Sequence, residues 1–239
     1  MNFPANYLHS FIAAPLFIVF GIASMRSYAK TKNRVTLYLG LAVVCYVFTL
    51  SFSAFLAVFT QDPQILTIGM ITGAFFEMIA GILMWTLVAR LYTPKSDFVR
   101  GIIVSLSIVA AVVTAYFAVR DMTQTPVTLA QSGAFQIIFS PVSREYTAAL
   151  SLQYASCIFL AVAFWRQSRT VSTLRDKMRL RTLSVMFAVV FVVLGLLPIT
   201  SSGGNGVLTI AQSIQLAIGL SLLGVFMAIT FFIRPDKKV

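Results

Sequence analysis

The sequence predicts an all-α integral membrane protein: a seven-transmembrane-helix bundle with its N-terminus outside and its C-terminus cytoplasmic. Three observations carry that expectation. Of 239 residues, 59% are hydrophobic and only 10% charged, against roughly 25% charged in a soluble domain. The apolar residues are gathered in long runs rather than amphipathic stripes, and runs of about 18 or more read as membrane spans. Of the 18 basic residues, only Arg120 and Arg144 fall on one side of the resulting topology. The others cluster on the opposite side, which the positive-inside bias makes cytoplasmic. The runs fill the chain, so a single domain, 1–239, is expected.

The seven runs cover about 7–25, 35–59, 65–92, 101–119, 146–165, 182–200 and 207–233. The first lacks a basic leader and a small-residue cleavage site and reads as a retained helix. Pro15 should kink it, and His9, the only histidine, sits near its outer end. A basic connection, Arg26 to Arg34, leads into the second run, which holds Cys45 and Tyr46. Thr60-Gln61-Asp62-Pro63-Gln64 is a turn with no basic residue. The third run ends at Arg90, and Lys95 and Arg100 follow in a short loop. The longest connection, Arg120 to Glu145, contains the apolar patch Ala134–Phe139, which fits either a β-hairpin or a helix on the membrane surface. Six basic residues against Asp176 occupy the next connection, Arg166 to Arg181. An uncharged turn, Ser201 to Gly206, separates the last two runs.

The third run carries the most pointed signal. Gly69, Gly73, Glu77 and Gly81 recur every fourth residue and so share a helix face. Glycines at that spacing let a second backbone approach, and Gly69, Gly73 and Gly81 are therefore expected to serve helix packing. Glu77 is the only acidic residue deep in any apolar run. A carboxylate at that depth is costly and normally faces a bundle interior or a wet cavity. No Lys, Arg or His lies at its depth, so a neutral carboxyl or a cationic guest is expected. Gln153, Gln212, Gln215 and Tyr46 fall at the centre or in the outer half of their runs. With Glu77 they form the candidate ligand-binding or proton site, an outward-facing polar pocket.

Several chemistries have no residues to support them. One histidine cannot provide bis-histidine haem, and the His and Cys set for zinc is missing. No G-x-S-x-G or phosphate-binding glycine loop occurs. No catalytic residue, metal or cofactor is therefore expected, and the chain is read as non-enzymatic. The formal charge of +11 reflects membrane topology rather than nucleic-acid binding. The two cysteines lie within apolar runs, which does not suggest a disulfide framework.

The topology resembles, in architecture, that of rhodopsins and many receptors. The last run, Val207 to Ile233, lacks the lysine that would carry retinal, and Ala89-Arg90-Leu91-Tyr92 lacks the acidic residue of the receptor motif. The leading functional expectation is a sensor or receptor-type bundle in the cell membrane, multi-pass. It would take a small ligand from the outer side and act through a cytoplasmic or membrane protein partner. A small transporter or proton-coupled carrier using Glu77, and a structural subunit of a membrane complex, are the alternatives. The lipid bilayer is the expected surrounding in each case.

Overall fold

The computed structural model describes residues 8–93, 95–132, 135–139 and 143–192. The described residues form an antiparallel helical bundle with one β-hairpin at one end. Among the described residues four helices are long and apolar enough to cross a membrane: Ser10–Thr31, Pro63–Tyr92, Asp97–Gln124 and Arg144–Ser168. The chain is thus a helical membrane protein. The last predicted run, 207–233, and with it Gln212 and Gln215, lies outside the described residues.

Helix α1 (Leu8–Thr31) contains Pro15 and ends where Lys32 takes a positive φ of 54°. Its N–H bonds Tyr28 O at 2.7 Å, which closes the helix. Asn33 then caps α2 (Arg34–Leu50) by accepting from Val35 N at 2.9 Å. The second run continues past Leu50 through a π-helical turn, Ser51–Phe55, into the short α3 (Leu56–Phe59). Asp62 caps α4 (Pro63–Tyr92), with Pro63 in the first turn, where a missing N–H costs nothing.

Ser96 caps α5 (Asp97–Gln124) and Ser143 caps α6 (Arg144–Ser168). Both helices extend beyond the apolar runs that mark them, because cap and first turn are polar by nature. Thr173 caps α7 (Leu174–Val190). Between α5 and α6 the patch expected to be either a hairpin or a surface helix is a hairpin. Strands β1 (Thr128–Ser132) and β2 (Phe135–Phe139) pair antiparallel, from Thr128 opposite Phe139 to Ser132 opposite Phe135.

Helix α4 is the hub and packs on α2, α5 and α6. The main apolar core lies between α1, α2, α4, α6 and α7, around Ala42, Leu87, Leu160 and Phe187. A second core, with Ala57, Leu66, Met70, Met122 and Val127, seats the hairpin end of the molecule on α4. There Val127 N donates to Thr67 Oγ1 at 2.9 Å. By contrast α5 turns Ile102, Leu106, Val109, Val112 and Val113 outward. An apolar outer face of this kind suits lipid tails, which satisfy it without a protein neighbour.

At the opposite end, Arg90 Nη2 on α4 donates to the Tyr38 hydroxyl on α2 at 3.2 Å, with the guanidinium over the Tyr38 ring. The basic segments 26–34, 90–100 and 166–181 therefore lie at one end of the bundle, and the hairpin lies at the other.

Candidate functional site

Glu77 stands at the midpoint of the 30-residue α4, about 21 Å along the axis at ~1.5 Å per residue. Its side chain faces the bundle interior and is half-buried. The hydroxyl of Tyr154, on α6, donates to Glu77 Oε1. Tyr154 is 4% exposed, which holds its phenol within the bundle. The ring of Tyr46, on α2, stacks against that of Tyr154 with centroids 6.3 Å apart and planes 20° from parallel. Phe17, on α1, backs Tyr46 at 6.5 Å. A carboxyl and two phenol rings thus join α2, α4 and α6 in the apolar core, with α1 behind them.

Of the residues expected at the site, Glu77, Tyr46 and Gln153 fall within the described residues, and Gln212 and Gln215 do not. Glu77 and Tyr46 belong to one cluster, bridged by Tyr154. Gln153, next to Tyr154 in sequence, points elsewhere, because successive helix residues project about 100° apart. Its Nε2 donates to Ser107 O on α5 at 3.4 Å, while its buried Oε1 has no hydrogen-bond partner among the described residues. Gln153 lies against Gly81, where an added Cβ would sit 2.5 Å from Oε1 and 3.3 Å from the glutamine Cβ.

The glycine ladder divides between two partners. Gly69 faces the π-helical turn: a Cβ there would collide with Leu56 and lie 3.2 Å from Phe52 O. Gly73 O accepts from Thr49 Oγ1 on α2 at 3.0 Å. Gly81 faces α6 instead. The ladder therefore lets α4 approach α2 along its first half and α6 beyond Glu77.

Tyr154 is the member of the cluster that the sequence reading does not single out. An aromatic among many in an apolar run gives no sign of its partner, and only helix adjacency reveals it. Chemically, the cluster can hold a proton, accept from a hydrogen-bond donor, or face a cation with aromatic rings alongside. Among the described residues no group of three or more His, Cys, Asp or Glu side chains could hold a metal ion. No protein-family model matches the chain, and no curated protein matches its sequence.

Tyr154→Phe is expected to cost more stability than Glu77→Gln. The first leaves a buried carboxyl oxygen without its phenol donor, a loss of about 1–2 kcal/mol. The second keeps an oxygen that can accept from Tyr154. Thermal unfolding in detergent checks this, and a Tyr154→Phe protein as stable as wild type would remove the bond from the account.

Proposed function

We propose that the chain is a seven-helix, non-enzymatic membrane protein of sensor or receptor type, with its N-terminus outside and its C-terminus in the cytoplasm. A small ligand, proton or cation enters an outward-facing polar pocket and meets Glu77, Tyr154 and Tyr46. Gln212 and Gln215 are proposed to complete the lining from the seventh helix. The resulting helix shift is read at the basic cytoplasmic end by a protein partner in the multi-pass protein's home, the cell membrane.

The observation that supports this reading is the Glu77–Tyr154 bond with Tyr46 stacked on it. One change in hydrogen bonding at Glu77 acts on three helices at once, and packed helices respond by shifting between discrete arrangements. A proton-coupled carrier is the second reading, favoured by the same carboxyl–phenol pair lying at mid-helix. Proteoliposome flux separates the two. The sensor reading expects no flux and a stoichiometric partner on purification from native membrane. Flux abolished by Glu77→Gln would establish the carrier instead.

The orientation has its own test. A reporter fused after Val239 should be active in the cytoplasm, and one inserted near Gln131 should be active outside. Activity of both on the same side would overturn the seven-helix count.

A further inference from the structure

At the basic end of the bundle, Trp165 lies where α6 runs out. The Arg181 guanidinium carbon sits 5.3 Å from its ring centroid and that of Arg169 sits 6.0 Å away. Two like charges share one ring although each repels the other, and all three side chains are exposed. Among the described residues neither arginine is ion-paired. The one carboxylate of the connection, Asp176, accepts from Thr173 Oγ1 at 2.6 Å and lies 3.9 Å from Arg179.

The platform is also held in place. Phe164 and Phe187 stack at 5.7 Å, and Ser184 Oγ donates to Ala161 O at 2.7 Å, so α6 and α7 cannot slide apart beneath it. Val162 and Ile158 share the helix face of Trp165 on α6, Val185 shares that of Arg181 on α7, and all three are exposed apolar side chains on the way to the middle of the bundle.

We propose that Trp165, Arg169 and Arg181 form a binding site for the phosphate of an anionic phospholipid, with an acyl chain along Val162, Ile158 and Val185. Guanidinium forks match phosphate oxygens. Tryptophan sits at the headgroup level, with its ring against the chains. Phosphate chemistry alone would admit a free anion. The exposed apolar side chains on the same helix faces select a ligand with both parts, and anionic lipids are the ones held by basic segments at a membrane surface. The site does not depend on what Glu77 does.

The test uses the full chain in nanodiscs. Trp85→Phe leaves Trp165 as the only tryptophan, so its fluorescence reports the site directly. Brominated phosphatidylglycerol should quench it with a preference on the order of tenfold over brominated phosphatidylcholine. Arg169→Gln with Arg181→Gln should bring the two lipids to near parity. Lys30→Gln with Lys32→Gln, which removes the same charge from another connection, should leave the preference intact. Equal quenching in the unmodified site, or a preference that survives loss of both arginines, would overturn the proposal. So would quenching parity accompanied by an emission shift on adding inorganic phosphate, which would make the occupant a free anion.

Discussion

Gly81→Leu should abolish stable folding of the bundle, while the same substitution at Gly101 should leave it untouched. Glycine inside a helix costs about 1 kcal/mol relative to alanine, so its presence at position 81 calls for a gain elsewhere. That gain is the approach of α4 to α6. A Cβ at Gly81 would meet Gln153 Oε1 at 2.5 Å, Cδ at 3.1 Å and Cβ at 3.3 Å. The far end of a glutamine can often swing aside, but Gln153 is 3% exposed and its Cβ is fixed by the α6 backbone. Overpacking a filled interior costs about 1–3 kcal/mol, and a full leucine here also separates two helices for which packing is the main adhesive force. At Gly101 an added Cβ meets nothing within 4 Å. Gln153→Ala combined with Gly81→Leu should recover part of the loss, since the pair shares one space and must be non-additive. If the Gly81 and Gly101 variants unfold at the same temperature in detergent, α4 and α6 do not meet there.

Asp121→Ala is the second large effect. Asp121 closes the hairpin connection at its base. Its Oδ2 accepts from Ser143 N at 2.7 Å and its Oδ1 from Arg120 Nε at 2.9 Å. Arg120 Nη2 in turn donates to Ser143 Oγ at 3.0 Å, and Ser143 caps α6. Asp121 is 8% exposed, so alanine leaves the Ser143 N–H without an acceptor in a covered place. The expected loss is about 2 kcal/mol, dominated by that orphaned amide. Arg120 reaches water, where an ion pair contributes little. Asp121→Asn keeps one acceptor oxygen and should fall between. Unfolding temperature and protease nicking between α5 and α6 report the effect. Wild-type resistance to nicking in the alanine variant would show that the hairpin is held by other contacts.

Much of this architecture was legible in the residues, for reasons that differ by element. Long apolar runs mark membrane helices because lipid admits few alternatives, whereas the caps Asn33, Asp62, Ser96, Ser143 and Thr173 emerge from the structure. The 120–145 connection could be read as either hairpin or surface helix, since a short apolar patch such as Ala134–Phe139 has no decisive period. The π-helical turn at Ser51–Phe55 had no glycine or proline to announce it. Its counterpart was visible only as Gly69, the small residue on the facing helix.

The cluster around Glu77 was legible only in part. Glu77 stands out by cost alone, as a carboxyl at membrane depth. Its partner does not, because depth says nothing of which helices are neighbours. Gln153 was the natural choice for a polar partner, yet α6 presents Tyr154 to Glu77 and turns Gln153 toward Gly81 and Ser107.

The most direct measurement for the proposed function is the side from which position 77 can be reached. Glu77→Cys in a Cys45→Ala, Cys157→Ala background provides a single thiol at the centre of the cluster. In sealed vesicles of known sidedness, a membrane-impermeant thiol reagent added at the outer face should label it. The same reagent confined to the cytoplasmic face should not. Labelling from the cytoplasmic face alone, or from neither face, would contradict an outward-facing site at Glu77.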